Sequence, residues 1–243
     1  MDTRLTYLLT LLPPLPPIGE TPPLSLAEAL SLLRQQGGAD LELLAGLLEA
    51  ESLLRETLDE WIVNPPGSRV VPHTLPQPLR SLFDEKLVAG MTEEAWVGSV
   101  RHAYLDLLSE AGHRLGSNLL SRWSEWEGSL RLNLARQRAR LRGDRDDPEQ
   151  GSPPDDDPAL EVALAAWSAA RSRGGDAGRL GAAMEAEVAL DVARQGFLTR
   201  ESPRYSFALD ELVAYLLQLH LLERHQRLDR QRGRTLLKAV GAL

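Results

Sequence analysis

Apolar residues at Leu105, Leu108, Leu115, Leu119, Trp123, Trp126, Leu130, Leu134 and Leu141 recur with a mean step of about 3.6 residues, the period of an α-helix. A strand would alternate with a period of two, so this stretch is committed to helix. Upstream, Thr92 offers an N-cap, and Glu93 and Glu94 fill a first turn where the helix dipole favours negative charge. The pattern predicts one helix from Thr92 to Leu141. At ~1.5 Å per residue it would reach about 75 Å, beyond the diameter of a compact domain of this size unless Gly112 or Gly116 bends it.

The rest of the chain repeats the theme between clear breakers. Six prolines from Pro13 to Pro23 fix φ and remove amide donors, which predicts an extended connector. Ser25 followed by Glu28 forms a capping box, so a helix starts there and stops near Gly37-Gly38. A second helix is expected from Ala39 to Ile62, with Leu41, Leu44, Leu48, Leu54 and Leu58 on its apolar side. Five prolines over residues 65 to 78 predict a loop, and a short helix follows from Leu79 to Ala89. Asp157-Pro158 predicts a helix start, with Pro at the first helical position, and Gly174-Gly175 ends that helix. Further helices are expected from Asp176 to Gln195, Ser206 to Leu228 and Gln231 to Ala239. Aromatic residues are only 5% of the chain while Leu and Ala abound, which also favours helix over sheet.

These elements predict an all-α fold: an elongated multi-helix bundle with one very long central helix and two lobes. Residues 1–142 would form an N-terminal helical region, residues 143–158 an acidic flexible linker, and residues 159–243 a C-terminal helical region packing back on the first. The linker holds seven acids and one Arg between Asp144 and Asp157, so it carries most of the net charge of -8.

Cysteine is absent, which excludes thiol catalysis, zinc-thiolate sites and disulfide frameworks. The apolar run from Leu5 to Leu12 is interrupted by Thr6, Tyr7 and Thr10 and ends at Pro13-Pro14, so it reads as neither signal peptide nor membrane span. No other run approaches the roughly 20 apolar residues that a membrane helix needs. A cytoplasmic protein without a direct membrane span is expected.

Candidate chemistry is thin. Asp106, Glu110 and His113 put two carboxylates and an imidazole on one helical face, but a dinuclear bundle site needs a second Glu-x-x-His, and none exists. A polar solvated face is the better account. His220 and His225 lie five apart, off a common face. No phosphate loop or nucleophile elbow stands out. No metal and no cofactor is implied. Six arginines, Arg131, Arg136, Arg138, Arg140, Arg142 and Arg145, form a basic stretch, in which Arg138, Arg142 and Arg145 share a face. Such a stripe suits phosphate backbones. Against that, Glu127 can pair with Arg131, the acidic linker follows directly, and no helix-turn-helix or base-stacking aromatic set accompanies the stripe, so pairing with an acidic protein or with the chain's own acidic linker is preferred and nucleic acid is not expected. Trp123 and Trp126, three apart on one face, read either as core or as an interface anchor. The candidate partner interface is therefore Trp123, Trp126, Arg131, Arg138 and Arg142.

Three stretches also carry a resemblance: Tyr7 to Leu33, Leu120 to Asn133 (LSRWSEWEGSLRLN), and Tyr205 to Leu237, the last containing Ala214-Tyr215-Leu216-Leu217-Gln218-Leu219, Glu223-Arg224, Leu228 and Asp229. Together they resemble a bacterial family of unknown function encoded within V-type (A-type) ATP synthase operons, in which an apolar run meets Pro-Pro, a Ser-capped helix follows, and a Trp-rich central helix precedes the C-terminal signature. This chain departs in having a single N-terminal Tyr where several aromatics are common, and His225 where an aromatic is common. The resemblance implies a stand-in for the all-helical, funnel-shaped coupling part of the rotary ATPase, a non-catalytic component that joins the central stalk to the membrane rotor ring. Its partners would be the central-stalk and rotor-ring subunits. The alternatives are an assembly factor or regulator of that complex, and a helical metal- or nucleic-acid-binding protein.

Overall fold

A computed structural model describes residues 3–63, 70–89, 92–142, 158–172 and 179–227. Among them the chain is all-helical: α1 (Thr3–Leu11), α2 (Leu26–Gln36), α3 (Ala39–Val63), α4 (Gln77–Ala89), α5 (Glu93–Leu115), α6 (Asn118–Arg142), α7 (Pro158–Ser172), α8 (Arg179–Glu201) and α9 (Leu209–Gln226). The expected acidic linker, apart from Pro158, and the expected last helix lie outside the described residues.

Local chemistry explains most boundaries. The Ser25 hydroxyl accepts from the Glu28 amide at 3.2 Å, and the Ser25 amide donates to the Glu28 carboxylate at 2.7 Å. That reciprocal box satisfies two amides otherwise orphaned at a helix start, and such caps contribute about 1 kcal/mol. Leu26, Ala29, Leu30 and Leu33 then bury one face of α2. The run from Leu5 to Leu12 proves largely helical, with Leu8 fully buried.

The single helix expected over residues 92–141 is instead two. Thr92 caps α5 as anticipated, but α5 ends at Gly116, which is left-handed at φ 66 and ψ 26. The Gly116 amide bonds to the His113 carbonyl at 3.3 Å and the Ser117 amide to the Gly112 carbonyl at 2.9 Å, a Schellman closure. Ser117 then caps α6 by accepting from the Leu120 amide at 3.1 Å. The two helices pack on one another closely enough that Leu105 on α5 lies against Gly128 on α6. Apolar periodicity survives the break because both helices face the same core, so the period alone could not reveal the turn.

Two aromatic groups fasten the core. Trp61, Phe83 and Trp96 join α3, α4 and α5 with ring centroids 5.1 to 5.6 Å apart, and the Trp96 indole donates to the Leu82 carbonyl at 2.8 Å. Trp123 and Trp126 of α6 meet Phe197 of α8 at 5.8 and 4.8 Å. A third contribution comes from α9, which buries Leu212, Val213, Ala214, Leu216, Leu217, Leu219, Leu221 and Leu222. A helix apolar on nearly every side must be surrounded by others. Accordingly α9 packs on α1, α2, α6 and α8.

Candidate functional site

The residues singled out from the sequence are not gathered into one surface. Trp123 and Trp126 are only 6% and 5% exposed; they stack on one another, Trp126 stacks on Phe197 and Trp123 meets that ring at a tilt, so both are core rather than surface anchors. Arg131 pairs with Glu127 at 2.7 Å, as the i,i+4 spacing anticipated, and is partly buried. Arg138 is exposed and lies over the Trp167 ring of α7 at 5.7 Å. α6 ends at Arg142, whose side chain lies outside the described residues, as does Arg145. Asp106, Glu110 and His113 are all exposed, and Asp106 faces His102 at 3.8 Å. Among the described residues no three His, Asp or Glu side chains are placed to hold a metal ion.

What the helices do bring together is a buried charge cluster between α6, α8 and α9. Arg194 of α8 donates through Nε and Nη2 to the two oxygens of Glu127 at 2.8 and 2.9 Å, and through Nη1 to Asp191 Oδ1 at 3.0 Å. Arg224 of α9 donates to the same Asp191 oxygen at 2.6 Å and to Glu187 at 2.7 Å. Arg131 completes the set, so three guanidiniums meet three carboxylates. Burial works against the charge on Glu127, but Arg194 and Arg131 overcome it and hold the carboxyl down at about 2. Burial also opposes the charge of Arg194, yet Glu127 and Asp191 keep its pKa above the ordinary value. Asp191 differs: burial raises its carboxyl despite Arg224 and Arg194, and its Oδ2 has no hydrogen-bond partner. His225 Nδ1 stands 3.9 Å from that oxygen, beyond hydrogen-bond reach.

The cluster belongs to a wider pattern in which several polar side chains of α9 reach other parts of the fold. Asp210 accepts from the Ser117 hydroxyl at 2.5 Å and the Leu119 amide at 3.4 Å, placing a negative charge at the start of α6. Glu223 does the same for α2, accepting from the Leu26 amide at 2.6 Å. The Tyr215 phenol donates to the Pro13 carbonyl at 2.9 Å, just past the end of the N-terminal helix. His220, 4% exposed, lies 3.4 Å from Glu51 of α3 without hydrogen-bonding geometry, and burial holds its imidazole below the ordinary value. α9 thus cross-braces helices from both halves of the chain.

Sequence reasoning found Glu127 but missed Arg194, Asp191 and Arg224. A signal existed: Asp191 and Arg194 sit between Leu190, Phe197 and Leu198 on the apolar side of α8, as Glu127 sits between Trp123 and Leu130 on α6. A charge placed on an apolar face needs a partner from another element. No family model, curated protein or solved structure matches this chain.

Proposed function

We propose that this protein is a non-catalytic, partner-binding component of a V/A-type rotary ATPase, a coupling part lying at the cytoplasmic face between central stalk and rotor ring. The observation that carries the reading is the cross-bracing by α9. A part that transmits force between two partners must resist shear between its own helices, and side chains of α9 bond to the starts of α2 and α6, to α8 and to the segment after α1. Tyr215, Glu223 and Arg224, which make three of those ties, fall within the C-terminal stretch that carries the family resemblance. No helix among the described residues is long and apolar enough to cross a membrane, so membrane association would run through the partners.

Co-purification tests the reading. A tagged chain expressed at native level is expected to bring down stalk and ring subunits in fixed stoichiometry. Recovery of none of them would overturn it, and substoichiometric recovery absent from the mature enzyme would point to an assembly factor instead.

A further inference from the structure

The packing of the helices leaves a groove on one side of the buried charge cluster. α5 and α9 both pack on α6 and not closely on each other, so α6 forms its floor and the other two helices its walls. The register of the α5–α6 hairpin places Arg101 there. Leu105 lies against Gly128, and one turn further along the antiparallel pair Arg101 comes opposite Arg131. Arg224 approaches from α9, linked to Arg131 through Asp191, Arg194 and Glu127.

Arg101 is the odd member of this set. It is exposed and forms no hydrogen bond or ion pair among the described residues. All three carboxylates of the cluster are engaged by other guanidiniums: Glu127 by Arg194 and Arg131, Asp191 by Arg194 and Arg224, Glu187 by Arg224. The unbonded oxygen of Asp191 faces His225, and Glu51 of α3 lies against His220. Burial, then the charges of Arg131 and Arg224, pull the Arg101 pKa down to about 10, and Glu127 and Glu187 oppose them less strongly. A side chain that keeps its solvent exposure yet feels burial sits in a concave surface. Arg131 adds a second unmet donor, since its Nε is buried without a hydrogen bond while Nη2 holds Glu127. A guanidinium without a counter-charge and a buried N–H without an acceptor are both unfavourable, and one added anion would relieve both.

We infer that the groove between α5, α6 and α9 is a binding site for a small phosphate-class oxyanion, held by the Arg101 guanidinium and Arg131 Nε with Arg224 beside them. A guanidinium fork matches two oxygens of such an ion with parallel hydrogen bonds. A doubly charged ion is favoured over a carboxylate because the three guanidiniums repel one another, and a second negative charge offsets more of that repulsion. Free phosphate and the phosphoryl group of a nucleotide present the same recognising chemistry. The inference is independent of the rotary ATPase reading.

Calorimetric titration of the full chain with inorganic phosphate, AMP and acetate, at fixed ionic strength in chloride, tests the site, with thermal melts alongside. Wild type is expected to bind one phosphate per chain and to melt higher in its presence. Arg101→Gln removes an unpaired side chain, so its melt in chloride should match wild type while its phosphate affinity falls by roughly tenfold. If it melts lower in chloride, Arg101→Lys, which keeps the charge and loses the fork, is read in its place and should also bind more weakly. Arg114→Gln removes an exposed guanidinium from the far end of α5 and should leave binding unchanged. Phosphate binding at least as tightly as AMP identifies the free ion, and tighter AMP binding identifies a nucleotide phosphoryl group. The site is overturned by no saturable phosphate binding in wild type, by undiminished affinity in the Arg101 variant, by an equal loss in Arg114→Gln, or by acetate binding as tightly as phosphate. None of these outcomes bears on the co-purification that tests the ATPase reading.

Discussion

Arg194 on α8 grips Glu127 on α6 with two parallel hydrogen bonds of 2.8 and 2.9 Å across 67 residues of sequence, both side chains almost wholly buried. A pair so placed differs from an exposed ion pair, which contributes little after screening and side-chain ordering. Removing both charges from water is costly, and the attraction recovers that cost only while the geometry holds. The pair therefore acts as a register pin between α6 and α8, reinforcing Phe197 against Trp123 and Trp126.

Arg194→Met is expected to cost about 3 kcal/mol, because it strands Glu127 in the core with Arg131 as its remaining bonded partner. Glu127→Leu combined with Arg194→Met should recover a large part of that loss. Urea unfolding of the two single variants and the double completes the cycle. If the two single losses simply add in the double variant, the pair is not coupled and the register role fails.

Acid should release the same pin. The folded pKa of Glu127, about 2, lies below the ordinary 4.5, so the folded state binds its proton at lower pH than the unfolded state does. Stability from this group is complete above pH 4.5 and drains as pH falls through about 2, by on the order of 3 kcal/mol. Asp191, whose folded pKa is raised, acts oppositely by taking up its proton earlier in the folded state. Glu127→Gln should flatten the acid limb of a stability-against-pH curve between pH 4.5 and 2. A limb of unchanged steepness would assign acid sensitivity elsewhere.

Much of the helix layout was legible because its signals are local. Ser25 and Glu28 announce α2, Thr92 announces α5, and proline or glycine clusters announce the breaks before α2, α3 and α4, whereas α8 runs to Glu201, past the expected end at Gln195, because no such cluster stops it there. The break at Gly116 has a local cause too: Gly116-Ser117 is a stop followed by a start, yet unbroken leucine periodicity masks it. Of the charge cluster, the pairing of Glu127 with Arg131 was legible from i,i+4 spacing. Arg194 reaching Glu127 and Arg224 reaching Asp191 depend on which helices become neighbours, and no spacing within one helix encodes that. For the same reason the sequence leaves Trp123 and Trp126 ambiguous, since only the approach of Phe197 from α8 makes them core.

His220 should make the protein sensitive to mild acid. Its imidazole is buried with both ring nitrogens lacking hydrogen bonds, and burial holds its pKa below the ordinary 6.5 against the pull of Glu51. The unfolded chain then takes up a proton first as pH drops. Stability is full above pH 6.5 and declines below it until the folded imidazole also protonates. His220→Leu removes the titrating group together with two buried nitrogens that lack hydrogen bonds. Thermal melts at about pH 7.5 and 5.5, either side of the free imidazole value, should show the variant losing less than wild type. An equal loss would remove His220 from the account.

The α5–α6 turn allows the most direct test of why one expected helix is two. Gly116 is left-handed, a conformation where a Cβ meets the backbone, so Gly116→Ala should cost about 1 kcal/mol without altering the packing around it. Gly112 poses a different constraint. A Cβ there would collide with Ser121 Oγ, lie 2.9 Å from the Ser121 amide nitrogen and 3.2 Å from the Ser117 carbonyl oxygen. Rotating the hydroxyl relieves only the first contact, because the other two are backbone. Gly112→Ala must therefore push the start of α6 away from α5, which also pulls Ser117 and Leu119 from Asp210 on α9. Overpacking of this kind costs about 1 to 3 kcal/mol. Amide hydrogen exchange separates the two cases: Gly116→Ala should leave protection at Leu119 and Leu120 high relative to the global stability, while Gly112→Ala should lower it selectively. Equal protection patterns in the two variants would mean that helix proximity at Gly112 is not what holds the turn closed.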